Sequence, residues 1–468
     1  MNSFPCQKKP LPESSINAIA KTLSDVCTVL AGSQAFSDKL VEELSCFLNR
    51  AYSNKGRHFH GIGHAHCVSE IPSGSPTATL AGLFHDVIYL QLDRDNAEEI
   101  KTLVEPFVLQ PNYSLILPES SKDPWVRVLM KIFGFKSQQE VKIGTGLNEF
   151  LSAWAAIQKL KFHLKASDLL QIVVNIYATM PYWGFKGSSE SFSEVLSGRV
   201  RLSLIELSLD APQKFIDRII TECVEVGNQD VMNFAEKDLR LFLSNTWSLL
   251  TEINPNLGKR YFTTFTYRNA LVGMDAFMSS LDYKFIFRSH CGSPSLNELT
   301  KLEQLAKKNI SLGSYYIKFR VLEACLVSSF AELSDGDGPL EMFVGPKPDR
   351  REGNVLSIDQ FFETNFKSAP LDHNPTYREV WDLLAGESPF RSSFDGKSSV
   401  IASFLFKNLN QEEFQNAFSM ALKYAKGACL PRQYLETLPP DIVRPLLKAA
   451  IEISFTRRDA LSRLLETI

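Results

Sequence analysis

The sequence predicts a predominantly α-helical protein built as two helical regions. Three observations predict it. Apolar residues recur at helical spacing along many segments. Alternating apolar and polar residues, the mark of half-buried strands, are scarce. A stretch rich in Gly, Pro and Asp, "SDGDGPLEMFVGPKPDRREGN", interrupts the helical pattern after Leu333. The 468 residues are 44% apolar and 22% charged, enough to bury a sizeable core. A net charge of -3 supplies no bulk attraction for nucleic acid or an anionic membrane.

The elements follow in order. "SSINAIAKTLSDVCTVLAG" puts Ile16, Ile19, Ala20, Leu23, Cys27 and Leu30 on one stripe, with Ser14 or Ser15 as N-cap and Gly32 as stop. "DKLVEELSCFLNRAYS" repeats the pattern. "TATLAGLFHDVIYL" is apolar nearly all round and predicts a buried helix, with His85 and Asp86 in its middle. "NAEEIKTLVEPFVLQ", "LNEFLSAWAAIQKLKFH", "ASDLLQIVVNIYATM" and the long periodic stretches before Leu250 and Leu333 are further helices. This assigns residues 1–333 to one helical body, 334–375 to a linker or long loop, and 376–468 to a small helical C-terminal region. No run approaches the roughly 18 apolar residues of a membrane span. The start, "MNSFPCQKKPLPESS", lacks the apolar core of a secretory signal. The eight cysteines are scattered without a CxxC pair and read as reduced thiols. Together these features predict a cytoplasmic protein, with signal-independent export left open.

Histidine is concentrated in two neighbouring segments. "RHFHGIGHAHCV", Arg57 to Val68, and "LAGLFHDVIYL", Leu80 to Leu90, hold five of the eight histidines. His60 and His64 share a face only in a helix, and Gly61 and Gly63 argue that the helix starts near His64. Burying an ionised Asp86 beside His85 is costly unless the carboxylate is paired or bound to a metal. A lone buried His-Asp pair is more often a hydrogen-bonded core pair. The upstream histidines and the acidic "DRDNAEE" that follows shift the balance toward a divalent cation. Imidazole with carboxylate suits Zn, Fe, Mn, Ni or Co, and carboxylate alone leans to Mg or Mn. Such an ion would turn a bound water into a nucleophile near neutral pH.

Other side chains have two readings each. Arg57 could clamp a phosphate bidentately or form a surface ion pair. His60 could orient a phosphate or be structural. Asp95 and Glu98 could supply a general base or a further metal ligand, or simply favour the first turn of a helix. Tyr182, Trp183 and Phe185 could stack on a flat substrate beside Lys186, or pack at a helix end. Arg268 could face a phosphate, although aromatics at the spacing of "YFTTFTYRNAL" usually pack. No GxxxxGK[ST], HExxH or GxSxG occurs, which removes P-loop, zincin and serine-hydrolase chemistry.

In order and spacing, "RHFHGIGH", "LAGLFHDVIY" and "DRDNAEE" resemble the HD-domain superfamily of metal-dependent phosphohydrolases. The resemblance covers the stretch between residues 40 and 240. It is closest to the group with an Arg-x-aromatic-His-x-x-x-His opening and an Asp-Asn-Glu-like element, here interrupted as Asp95, Asn96, Ala97, Glu98. It implies an HD-like helical bundle whose metal ligands are His64, His85, Asp86 and a distal aspartate. Asp230, in "CVEVGNQDVMNFAEKD", is preferred over Asp168, which looks like the N-cap of its own helix, and over Asp210 and Asp217. The implied activity is hydrolysis of a small phosphate ester, a nucleotide foremost. Asp86, Asp95 and Arg57 would then serve catalysis, and His60, Arg57, Lys186, Tyr182 and Arg268 the substrate. The interrupted element and the paired glycines suggest a different class, an inactive scaffold that meets a protein partner through its C-terminal region. The extra histidines suggest a third, a di-iron oxygenase of the same fold.

Overall fold

The computed structural model describes residues 15–31, 38–54, 56–93, 102–105, 107–110, 113–180, 191–258, 261–346, 356–362, 375–385 and 399–468. Over these residues the fold is all-α, as the periodicity predicts. The β structure described is one small sheet of two-residue strands: β1 (Val108–Leu109), β2 (Leu115–Ile116) and β3 (Glu140–Val141). They pair antiparallel in chain order, with Val108 opposite Ile116 and Leu115 opposite Val141.

The chain divides into two compact units. One comprises Met1–Ala235 with Asp282–Ala306, the other Glu236–Leu281 with Lys307–Ile468. This differs from the expected break after Leu333. Residues 236–281 and 307–333, assigned from the sequence to the first body, belong to the second unit. The reason is packing at long range. Phe319 lies 4.5 Å from Phe414 and 4.9 Å from Phe406, ring centre to ring centre, and the Tyr434 hydroxyl donates to the Leu322 carbonyl at 2.9 Å. The segment therefore shares its core with helices some hundred residues downstream.

The first unit contains α1 (Ser15–Ala31), α2 (Asp38–Tyr52), α3 (Ile62–Ser69), α4 (Pro76–Phe84), α5 (Pro124–Phe133), α6 (Leu147–Leu160), α7 (Ala166–Tyr177), α8 (Phe192–Glu206) and α9 (Gln213–Asp230). Helix α7 is its centre: every residue from Leu169 to Tyr177 is buried. Helices α4, α6 and α9 pack against it, and α3 packs on α4 and α9. Phe84, Phe150, Leu170, Val173 and Ile220 are wholly buried, each worth about 1.5–3 kcal/mol relative to exposure. The predicted stripe of α1 turns Ile19, Leu23 and Cys27 inward, while Ile16 lies at the exposed edge. Local signals set several boundaries. The Asp123 carboxylate caps α5 and Gly134 ends it in the left-handed region, and Ser191 with Glu194 forms a capping box on α8.

The second unit contains α10 (Leu239–Ile253), α11 (Thr264–Ser280), most of the 38-residue α12 (Leu296–Leu333), and then α13 (Pro375–Ala385), α14 (Val400–Asn408), α15 (Gln411–Ala425), α16 (Pro431–Leu435), α17 (Pro440–Ile453) and α18 (Arg458–Glu466). No helix among the described residues is long and apolar enough to cross a membrane.

Two glycines set how closely the helices of the first unit approach. A Cβ on Gly82 of α4 would stand 2.6 Å from the Ser69 amide nitrogen and 2.7 Å from the Val68 carbonyl carbon, both in α3. A Cβ on Gly227 of α9 would stand 2.7 Å from the Ala178 carbonyl oxygen at the end of α7. Backbone cannot yield as a flexible side chain can, so both positions exclude a methyl group. Gly82→Ala is expected to lower unfolding free energy by about 1–3 kcal/mol, the range for overpacking a close contact, measured by denaturant titration. Gly63→Ala, with nothing within 4 Å of its Cβ, is the control and should leave stability unchanged or improved.

Candidate metal centre

Three helix ends meet in the first unit. Helix α3 starts after Gly61, which has extended backbone, and places His64 in its first turn. Helix α4 ends at Phe84, with His85 as its C-cap. Helix α9 ends on Asp230. Among the described residues, His64, His85 and Asp230 form a group whose donor atoms all lie within 4.8 Å of one another. His64 Nε2 is 3.0 Å from Asp230 Oδ1 and 3.3 Å from His85 Nε2, and His85 Nε2 is 3.5 Å from Asp230 Oδ1. Asp86 Oδ2 joins through His85 Nε2 at 2.9 Å and His64 Nε2 at 3.8 Å.

These donors fit a divalent cation on three counts. Bonds of about 2.0–2.2 Å require neighbouring donors to lie about 3.0–3.4 Å apart, close to the separations seen. The His85 Nδ1–H donates to the Gly82 carbonyl at 2.8 Å, which selects the tautomer whose Nε2 lone pair faces the cluster. Two of the helices, α4 and α9, also offer their C-terminal ends, where the macrodipole favours positive charge.

The His-Asp pair is not in mid-helix, contrary to the reading of "TATLAGLFHDVIYL" as one helix. The helix stops at Phe84, and the Val87 amide reaches back only to the Phe84 carbonyl. Side chains bring this about. The Tyr52 hydroxyl donates to the Leu83 carbonyl at 2.9 Å and accepts from the Asp86 amide. Arg57 takes two carbonyls beyond the helix end, Asp86 at 2.6 Å and Val87 at 3.3 Å. It also donates to the His60 carbonyl and binds both carboxylate oxygens of Asp93, at 3.2 and 2.6 Å.

Arg57 is therefore corrected from phosphate clamp to internal brace. Its side chain is fully buried, its five N–H donors are all committed, and it lies over the rings of Tyr52 and Tyr89. Sequence reasoning missed Asp93, the partner that keeps this charge inside. The spacing Arg57 to Asp93 carries no periodic signal, because two helices and their connecting turns separate them.

The electrostatics match a site short of one positive charge. Burial drives His64 below its usual range, with Asp230 only partly offsetting it. Burial also opposes protonation of His85, but the charges of Asp86 and Asp230 outweigh it and hold the imidazolium well above its ordinary range. The Asp86 and Asp230 carboxyls are pulled below theirs, because the facing histidines outweigh desolvation. The signs define a window. The carboxylates stabilise the fold at pH above their unfolded values and lose that contribution on acidification. The His85 contribution is present below its unfolded value and is lost as pH rises through the raised one. Without a metal, a proton on His85 serves as the counter-charge.

The remaining predicted residues divide. The His60 ring stacks on Tyr89 at 4.7 Å and meets the His64 ring at 5.6 Å, so it borders the cluster from outside α3. Asp168 lies in the first turn of α7, where Lys165 rather than Asp168 is the N-cap, and takes no part in the grouped donors. Arg268 belongs to the second unit, where it is buried, pairs with Glu332 at 2.9 Å and lies over the Tyr424 ring. A substrate-binding role for it is withdrawn, because its charge is neutralised inside that unit's own core. Asp95 and Glu98, like Tyr182, Trp183, Phe185 and Lys186, lie outside the described residues. Sequence reasoning also missed Glu149 in the first turn of α6, which feels the charges of Asp86, Asp230 and His85. No motif marks it. Compared with protein-family models, curated proteins and solved structures, the chain matches none.

The brace generates a prediction that separates it from a substrate clamp. Arg57→Ala should destabilise the protein by about 3–5 kcal/mol, the cost of stranding a buried partner charge. Asp93→Ala should do the same, and the double variant should lose clearly less than the sum. A denaturant double-mutant cycle measures this. A phosphate clamp would instead leave stability unchanged and raise only KM.

Proposed function

We propose that the chain is a metal-dependent phosphohydrolase of HD type, acting on a small phosphate ester with a nucleotide foremost. The observation that carries this reading is the convergence of His64, His85 and Asp230, with Asp86 beside them, on one point at three helix ends. His64, His85, Asp86 and Asp230 would hold a divalent ion of Mn, Fe, Zn, Ni or Mg. That ion would supply Lewis-acid polarisation of the phosphoryl oxygen and a water of lowered pKa. The protein's own part is to orient the imidazoles, through Gly82 on His85, and to keep the surrounding turn rigid through Arg57. His60, whose ring lies beside those of His64 and Tyr89, would meet the substrate. The free thiols among the described residues agree with a cytoplasmic location, which belongs to this proposal, as does a protein partner for residues 376–468.

One observation favours a second reading. The grouped donors are two histidines and one carboxylate, a set also used by non-haem iron oxygenases. Asp86, adjacent to His85, argues for the hydrolytic assignment.

Elemental mass spectrometry of the purified protein tests the proposal. About one or two ions per chain are expected, with none in a folded His85→Ala/Asp86→Ala variant. Because uptake displaces the proton from His85, the apparent affinity should rise with pH, and calorimetry should record proton release. Phosphatase and phosphodiesterase turnover should follow metal content. Iron with oxygen-dependent turnover would favour the oxygenase. A folded protein that takes up no metal would turn the reading toward a scaffold.

A further inference from the structure

The segment from Asp86 to Leu90 leaves the helical hydrogen-bond ladder for side chains. In a helix that ran on, each amide would bond the carbonyl four residues back. Here the Asp86 amide donates to the Tyr52 hydroxyl at 3.3 Å, and the Ile88 amide to Ser152 Oγ at 3.1 Å. The Tyr89 amide donates to Asp93 Oδ2 at 2.7 Å, and the Leu90 amide to Asn148 Oδ1 at 3.1 Å. The Val87 amide keeps a backbone partner, the Phe84 carbonyl three residues back.

The Tyr52 contact differs from the others, because it acts on both residues of the His-Asp pair. In a continuing helix the Asp86 amide would take the Gly82 carbonyl. That carbonyl instead accepts from His85 Nδ1 at 2.8 Å. The Tyr52 hydroxyl also donates to the Leu83 carbonyl at 2.9 Å, the one the Val87 amide would otherwise take. One hydroxyl therefore replaces an acceptor and a donor of the ladder, which its single proton and two lone pairs allow. Tyr52 is the last residue of α2 and is buried, and the Arg57 guanidinium lies 5.3 Å from its ring centre.

We propose that Tyr52 is a positioning residue of the metal centre, holding the Asp86 backbone directly and leaving the Gly82 carbonyl to His85. The proposal rests on the metal centre of the preceding reading, not on the ester hydrolysed there. Tyr52→Phe keeps the ring and its place beside Arg57 and removes only the oxygen. The Asp86 amide then loses its acceptor and the Leu83 carbonyl its donor, and buried polar groups left so must find new partners. The ladder offers them: Asp86 to Gly82, and Val87 to Leu83. The helix would then run on through His85 and Asp86, and the Gly82 carbonyl would turn along the helix axis and off the imidazole.

Calorimetric titration of the metal-free protein with Mn reads the consequence. Tyr52→Phe should bind Mn about 10–100-fold more weakly than the wild type, the usual effect of losing a contact behind a metal ligand. Val200→Ala is the control. Val200 is wholly buried on α8, which supplies none of the contacts above, so the variant loses stability and should keep the wild-type affinity. A proton spectrum of the Zn-loaded protein is the second readout. The His85 Nδ1–H, bonded to Gly82, should give a slowly exchanging downfield resonance in the wild type and in Val200→Ala, assigned by its absence from His85→Gln. In Tyr52→Phe it should shift upfield or vanish through exchange with water. A folded Tyr52→Phe that keeps the wild-type affinity, or keeps the resonance in place, would overturn the positioning role. So would an equal loss of affinity in Val200→Ala, which would trace the effect to general destabilisation. A wild type that takes up neither Mn nor Zn would overturn the metal centre itself, and the role of Tyr52 with it.

Discussion

The buried charge of Arg57 is the constraint on which the site depends. A guanidinium taken out of water demands partners for every donor, and this one finds them in two places at once. Its contacts to the His60, Asp86 and Val87 carbonyls join the approach to α3 to the turn after α4. Asp93 neutralises it and in turn accepts from the Tyr89 amide at 2.7 Å. The helix stops at Phe84, where the Tyr52 hydroxyl takes the Leu83 carbonyl, and Arg57 holds the Asp86 and Val87 carbonyls of the turn that follows. In that turn Asp86 Oδ2 lies 2.9 Å from His85 Nε2.

Close backbone packing completes the arrangement. Gly82 lets α3 lie on α4, and Gly227 lets α9 lie against the end of α7. The helices that carry His64, His85 and Asp230 are thereby held close enough for the three donors to group. The carboxylates of Asp86 and Asp230 repel each other without one, and His85 answers with a proton. In the proposed site a metal and the His85 proton would be alternatives for one electrostatic role, which would couple affinity to pH.

Much of this was legible in the sequence, for identifiable reasons. Helical periodicity reports on local burial, so the all-α class and the buried character of α4 could be read directly. The cluster of His64, His85 and Asp230 was legible through the order and spacing of a family resemblance, not through periodicity. What stayed hidden depends on contacts between distant segments. "FHDVIYL" continues the apolar run of α4, and nothing in it announces that Tyr52 and Arg57 end the helix at Phe84. Arg57 looks like a surface cation until Asp93 is found beside it. Arg268 looks equally free until Glu332 and Tyr424 enclose it. The division between units was hidden because the 38-residue helix α12 passes through the boundary. Chain breaks in composition mark loops, whereas the units follow shared cores.

The most direct test of the central claim is anomalous diffraction from crystals of the protein loaded with Mn. The account predicts a peak bounded by His64 Nε2, His85 Nε2 and Asp230 Oδ1, with Asp86 in contact and the Arg57 brace unchanged. A map without a peak among these atoms, or with the ion held elsewhere in the chain, would contradict it.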